Sequence, residues 1–415
     1  MTRSGMTRRA GLALALVSAA ALLLALVGPA AGSPDKQQRK LATITLDGLP
    51  IANGFPLDIG IQQGFFAKHG IEIKKTVFQS GNDIVLAMAN HNGDIGYIGW
   101  VPAIIARTQG IPVVTVSASD VEATSADDNW QNVLVKGNSS IRTPKDLEGK
   151  TVAVNALKGV GEVVIRAALD KLGVDQTKVK FVAIPFPAMR AALNNGQVDA
   201  FFAPEPFLTQ GLTLDGDRTI LAPGPTLGKY WPNGTYVALQ DWVQKNPALA
   251  KGFHDAMAES LAYAQAHPEA VRAMLPAAIK NIRLPVWSSL IDRRQLVQLA
   301  KYAKEFGAIT TLPNMAALVP AAIATGLTIQ GTVTGSAIAM KLDGRPFKTL
   351  QAGSYTFVVS DRSAKQNFHL KGPGLNKTTG TRQVGRLSFT TKLGKGRYTY
   401  SSDANPSLRG SFTVA

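Results

Sequence analysis

Cysteine is missing from all 415 residues. That excludes disulfides, cysteine nucleophiles, cysteine–zinc and iron–sulfur sites, and any lipid carried on a cysteine. Catalytic signatures are missing too. The chain has no HExxH, no GxSxG and no P-loop, and no catalytic constellation stands out. Histidine is scarce. His69, His91, His254 and His267 are scattered at helix stops or on polar faces, without metal-ligand spacing, and read as structural. After residue 32 no apolar run is long enough to span a bilayer. Acidic residues are outnumbered, 28 against 44 basic ones, for a net charge of +16.

The residues present suffice for a packed core: 45% are hydrophobic, and the length suggests two or three domains. Residues 1–32 read as an export signal. Arg3, Arg8 and Arg9 precede an apolar run from Leu12 to Val27, and GPAAG offers small residues for cleavage after Ala30 or Gly32. Arg8-Arg9 also fits twin-arginine export. An uncleaved membrane anchor is the alternative, for which the run is short. The mature chain is expected to be soluble and outside the cytoplasm. Residues 33–40 are polar and linker-like.

Residues 187–206, PAMRAALNNGQVDAFFAPEP, are the stretch around which the chain is organised. Met189, Ala192 and Leu193 give an apolar helical face, and Asn194, Asn195 and Gly196 stop it. VDAFFA then reads as a strand buried on both faces, ending at Pro204-Glu205-Pro206. An echo lies at 84–102, IVLAMANHNGDIGYIGWVP, with a stop at Asn90, Asn92 and Gly93 and a strand ending at Trp100. Two such units suggest two similar lobes with a cleft between them, coincidence being the alternative. Strands and helices alternate from Leu41 to Leu239, which predicts parallel sheets covered by helices. Residues 241–328 are mostly helical by periodicity.

In such sheets ligands gather where strands end. The candidates are Asn53 and Phe55 after the first strand, Gln79, Ser80 and Gly81 before a helix, Gly99 and Trp100, and Ser117. Ser80-Gly81 and Lys158-Gly159-Val160-Gly161 each open a helix, where backbone N–H groups suit an anion. Trp100 and Phe55 suit an aromatic ring, and Lys158 suits an acid. Three candidates have a structural alternative: core packing for Trp100, a solvated charge for Lys158, and a Pro-rich turn for Glu205.

GFFAKHGIEI, SGNDIVLAMANHNGDIGYIG, SIRTPKDLEGKTVAV and ALNNGQVDAFFAPEPF, in that order, resemble the periplasmic solute-binding proteins of ABC importers. The group is the one that takes sulfonates, taurine, nitrate or the pyrimidine precursor of thiamine. The resemblance covers roughly residues 41–328. It implies the type II periplasmic-binding-protein fold: two α/β lobes, crossed by two strands, closing on a small ligand and delivering it to an ABC permease. The expected lobes are 41–137 with 240–328, and 138–239. The matching loop makes Glu205 a partner for a ligand amine or ring N–H. Capture of this kind requires Gln79, Trp100, Lys158 and Glu205 to share one cavity. Enzymes of thiamine-pyrimidine synthesis that resemble this group use a cysteine-rich segment, which is absent here. The chain therefore reads as a binding protein, not an enzyme, with no cofactor. A ligand-sensing or envelope-interaction protein that does not serve transport is the alternative.

Composition shifts after Leu327 to short β-rich segments separated by Gly, Asp and Ser. QAGSYTFVVSDRSAKQNFHLKGPGLNKTTG and KGRYTYSSDANPSLRGSFTV resemble the all-β cupredoxin sandwich over residues 336–415. Gln366, Ser402, Asn405 and Leu408 stand where that family places its copper ligands, so the resemblance implies a cupredoxin-like domain without metal. Residues 336–415 carry thirteen Lys/Arg against three Asp/Glu, most of the chain's excess charge. Anionic cell-envelope polymers or lipid head groups are the expected partners of such a domain, with a merely solvated basic surface as the alternative. Nucleic acid is a poor fit for an exported chain.

Overall fold

The computed structural model describes residues 41–289, 291–320, 327–342, 345–350, 352–380 and 384–415. The signal-like segment and the linker lie outside them. Among the described residues no helix is long and apolar enough to cross a membrane.

Strands β1 (Ala42–Gly48), β2 (Ile71–Val77), β3 (Ile95–Gly99), β4 (Val113–Val121), β5 (Gln131–Val135), β6 (Thr151–Val154), β7 (Lys180–Ala183), β8 (Ala200–Pro204), β9 (Arg218–Leu221), β10 (Pro232–Leu239) and β11 (Val286–Trp287) make two sheets. The first has the order β11-β4-β10-β3-β1-β2 and the second β7-β6-β8-β5-β9. The expected parallel pairing holds for β1 with β2 and β3 and for β6 with β7 and β8, but both sheets are mixed. β10 runs antiparallel to β3 and β4, and β5 antiparallel to β8 and β9. These are the strands reached by crossing between lobes, so each enters its sheet against the local direction. The crossings also move the lobe boundaries. β5, at 131–135, belongs to the second sheet, and β10, at 232–239, to the first. Apolar pattern alone does not say which sheet a buried strand joins.

The two echoing units sit in equivalent places. The Gly81–Ala89 helix leads into β3, and the Phe186–Asn194 helix into β8, both fully buried strands. Their acidic residues have one structural job. Asp94 exchanges hydrogen bonds with the Thr45 backbone: its N–H donates to Thr45 O (3.0 Å), and its Oδ2 accepts from Thr45 N (2.8 Å). Asp199 does the same with Thr151, at 2.9 and 2.8 Å. Each clips its strand to a neighbour with a charge-assisted bond. The stops differ. Gly196 takes the left-handed conformation (φ 72°) in one unit, but His91 (φ 57°) takes it in the other. Gly93 is required for a different reason: a Cβ there would overlap the buried Asp47 carboxylate.

One apolar core runs through both lobes. The Arg293–Glu305 helix, capped by Asp292 accepting from the N–H of Arg294 and Gln295, buries Leu296, Leu299, Ala300 and Ala303 in it. Trp100, Ile104, Val163 and Ile165 belong to the same core. The Pro247–Ala266 helix covers the other face of the first sheet through Phe253, Met257 and Leu261.

Ten further strands complete the described chain: β12 (Leu327–Val333), β13 (Ile338–Leu342), β14 (Arg345–Pro346), β15 (Thr349–Leu350), β16 (Gly353–Asp361), β17 (His369–Gly372), β18 (Leu375–Thr378), β19 (Gly385–Leu393), β20 (Gly396–Ser401) and β21 (Arg409–Val414). They form sheets β14-β13-β12-β16-β19 and β15-β21-β20-β17-β18. Phe357 and Val359 of the first share a core with Leu370, Tyr398 and Phe412 of the second. Leu342, Pro346 and Phe347 reach the lobes, where they and Trp100, Lys229 and Tyr230 enclose a cavity of about 200 Å³.

Candidate functional site

A cavity of about 40 Å³ lies where the two sheets face each other. The first lobe gives it Leu49, Ile51, Gly81, Tyr97, Gly99 and Pro102. Gln131, Asn155, Ala156, Gly159, Val160, Phe186 and Phe202 come from the second, and Asn233 from the start of β10. None of these lining residues carries a charge. Instead four helices begin at the cavity wall: Gly81–Ala89, Trp100–Thr108 behind its cap Gly99, Val160–Lys171 behind its cap Gly159, and Phe186–Asn194. Each helix start carries backbone N–H groups without intrahelical partners and the positive end of the helix dipole. Two of these starts belong to each lobe.

The lobes touch across the cavity. Asn155 Nδ2 donates to the Gln79 carbonyl at 3.3 Å, and Ala52 N–H to the Glu205 carbonyl at 3.0 Å. A Cβ on Gly99 would overlap Val160 Cγ2. The backbone there is extended (φ −71°), so glycine is needed for the close approach and not for its conformation.

Behind the cavity wall a polar network links the two crossings. Asp120 Oδ1 accepts from Tyr97 Oη (2.8 Å), and its Oδ2 from Asn53 Nδ2 (2.7 Å) and Asn233 Nδ2 (2.8 Å). Gln131 Nε2 donates to Asn233 Oδ1 (2.9 Å) and to Glu122 Oε1. Burial raises the Asp120 pKa, opposed by hydrogen bonds from Asn233 and Tyr97. It pushes Glu122 up to about 8, again against its hydrogen bonds. Tyr97, Gln131 and Asn233 thus face the cavity with polar atoms already committed to buried carboxylates.

The structure brings some of the sequence candidates to this cavity and sends others elsewhere. Gly81, Gly99 and Gly159 line it. Gly161 stands behind Phe202, whose Cδ1 would be 2.8 Å from a Cβ there, so its bareness lets that ring reach the wall. Ser80 caps its helix, with Oγ accepting from Asp83 N–H at 3.2 Å. Gln79 is exposed and contributes its carbonyl. Asn53 is buried one layer back, on Asp120. Trp100 packs in the core and lines the larger cavity beside the C-terminal sheets. Phe55 packs beside Leu275 and Ile282. Ser117 donates to the Ala118 carbonyl inside β4. Lys158 has a left-handed backbone (φ 57°), and its exposed side chain borders an outer groove. Its N–H donates to Glu162 Oε2 at 2.7 Å.

Glu205 is fully buried, and its carboxylate accepts from Thr209 N–H (3.0 Å), Thr209 Oγ1 (2.7 Å) and Arg283 N–H (2.9 Å). It locks its own turn, which corrects the expectation that it meets a ligand. Gln79, Trp100, Lys158 and Glu205 therefore do not share one cavity. Backbone at helix starts, with Asn155, Gln131, Tyr97 and two phenylalanines, builds the site instead. Asn155 was the readable signal among these: a polar residue directly after the apolar strand TVAV.

A cavity between two such lobes, walled by strand ends and helix starts, defines the periplasmic-binding-protein class of fold. The chain belongs to the NMT1/THI5-like family, whose model matches residues 52–271. It is 29% identical over 203 residues to the taurine-binding periplasmic protein of Escherichia coli (strain K12), covering 48% of this chain and 59% of that one. The match covers less than two thirds of that protein, and 65% of a putative aliphatic sulfonates-binding protein of the same organism, to which the chain is 27% identical over 217 residues. Among solved structures, the fold is similar to that of the alkanesulfonate-binding protein SsuA from Xanthomonas axonopodis pv. citri bound to MOPS. The TM-score is 0.56 at 21% identity, covering 67% of this chain and 98% of that chain. It is also similar to the periplasmic aliphatic sulphonate binding protein SsuA from Escherichia coli, with TM-score 0.55, 20% identity, 66% of this chain and 95% of that chain. These likenesses establish the type II binding-protein fold.

Proposed function

We propose that this chain is the exported solute-capturing component of an ABC importer, without enzymatic activity, for a small organic anion or heterocycle of the sulfonate, taurine, nitrate or pyrimidine-precursor class. The observation that carries this reading is the meeting of four helix starts, two from each lobe, on one cavity with no charged lining. Such a wall stabilises negative charge through fixed dipoles, while Leu49, Ile51, Phe186 and Phe202 accept an apolar body. With the lobes apposed only about 40 Å³ is open, so a solute enters when they part and is enclosed when they meet. The membrane permease is the partner that would receive it. Calorimetric titration of the full chain with ethanesulfonate, taurine, nitrate, bicarbonate and an aminopyrimidine tests this. Saturable 1:1 binding of one of them is expected, and none binding would refute the reading.

The C-terminal sheets are read as a cupredoxin-like module that has exchanged its metal site for hydrogen bonds. Ser402 Oγ donates to Gln366 Oε1 at 2.8 Å, and both Asn367 and His369 are tied to Asp403. An amide, a hydroxyl and one imidazole do not fit a type 1 copper.

A further inference from the structure

The outer face of the sheet β15-β21-β20-β17-β18 has no role in solute capture, yet its composition is specific. Register places Lys371, Thr399 and Ser411 in one cross-strand row, Arg397 and Thr413 in the next, and Ser401 and Arg409 on the opposite side of the first row. Tyr398 and Phe412 alternate with them and point into the core. Lys371, Arg397 and Arg409 are exposed. Rows on one strand side are two residues apart, about 7 Å, and neighbouring strands about 4.8 Å apart. The three cations therefore form a triangle with sides of roughly 8, 12 and 15 Å, with hydroxyls between them.

One carboxylate reaches this face: Asp403, hydrogen-bonded to Asn367 and to His369 of the Ser401–Arg409 row, has its pKa lowered by those bonds and in part by the charge of Lys371, so it offsets only part of the positive charge. Among the described residues Lys371, Arg397 and Arg409 form no ion pair; the ion pair seen in this region joins His369 and Asp403. In the lobes, by contrast, Lys68, Arg166, Lys178 and Arg190 all pair with carboxylates. Residues 336–415 carry ten net positive charges of the chain's sixteen. Among the described residues, Val384 is the one large hydrophobic side chain of this region that stands exposed, and it lies beside the other sheet, next to β19. A lipid surface would call for apolar anchors on the binding face, and these are missing from it. A flat, hydroxyl-rich, cationic sheet face matches an extended chain with regularly spaced negative groups and sugar or polyol hydroxyls.

We propose that this face, centred on Lys371, Arg397 and Arg409, binds a phosphodiester-linked polyol polymer of the cell envelope and so holds a chain that has no lipidated cysteine near the membrane. The envelope setting rests on the exported location of the proposed function; the binding itself does not. Full-length protein is passed over immobilised poly(glycerol phosphate) at about 50 mM and about 500 mM NaCl, and separately mixed with phosphatidylglycerol vesicles. Binding at low salt, lost at high salt, is expected. It should weaken at least about tenfold in the triple variant Lys371→Glu, Arg397→Glu, Arg409→Glu and by an intermediate factor in the matching Gln triple. Both variants should melt like the parent and keep the parent's solute titration, which separates this proposal from the capture reading. Absent binding to poly(glycerol phosphate), equal binding by the Glu triple, or preference for the vesicles would each overturn it.

Discussion

Replacing Gly99 by alanine adds one methyl group at the point where the lobes meet. The backbone there accepts any residue, so no conformational cost arises in either lobe. A Cβ would stand 3.5 Å from both Asn233 O and Val160 Cβ, which is ordinary contact, but would overlap Val160 Cγ2. Relief requires either rotating Val160 out of its favoured well or holding the lobes apart. Overpacking of this kind costs about 1–3 kcal/mol. Because the contact exists only when the lobes meet, that cost falls on closure and hence on solute affinity. It corresponds to a loss of about fivefold to about 150-fold in Kd. Calorimetric titration of the parent, Gly99→Ala, Val160→Ala and the double variant measures it. The double variant should recover most of the loss, giving a coupling energy of about 1 kcal/mol or more. Unchanged affinity in Gly99→Ala, or loss without recovery in the double variant, would refute the steric reasoning.

The same geometry has other consequences. Asn155→Asp sets a negative charge beside four helix starts meant for an anion. Solute affinity should drop by at least about tenfold, which the same titration reads. Glu122 keeps its proton in the folded chain up to about pH 8, whereas the unfolded chain loses it near 4.5. Its burial therefore destabilises the fold progressively as pH rises from 4.5 to 8, by roughly 3 kcal/mol at pH 7. Glu122→Gln should accordingly raise the melting temperature at pH 8 and leave it unchanged below pH 4.5; an equal shift at both pH values would contradict this. Asp94→Ala removes the clip on Thr45 and the partner of Trp242 Nε1, and should cost about 2 kcal/mol in urea unfolding.

Much of the lobe architecture was legible because buried strands and amphipathic helices leave strong patterns. VDAFFA and IGYIG read as buried strands, and the strands there, Ala200–Pro204 and Ile95–Gly99, are buried throughout. The glycines at 81, 99 and 159 were legible as cavity wall because a strand end followed by a helix start fixes where the backbone goes. Side chains at the same ends were not. Lys158 turns outward because its left-handed backbone aims it away, and Glu205 turns inward because Thr209 and Arg283 offer it three donors. Residue type does not encode either direction. Gln131 and Asn233 stayed hidden because both open strands reached by crossing between lobes, and a crossing is set by tertiary packing rather than by local pattern.

Solute capture requires the apposed lobes to enclose a small anion. Small-angle scattering of the full chain with and without saturating ethanesulfonate, beside the calorimetric titration, tests it most directly. A 1:1 complex with a smaller radius of gyration than the free protein is expected. A free protein that already scatters like the complex and binds none of the anions tested would contradict it.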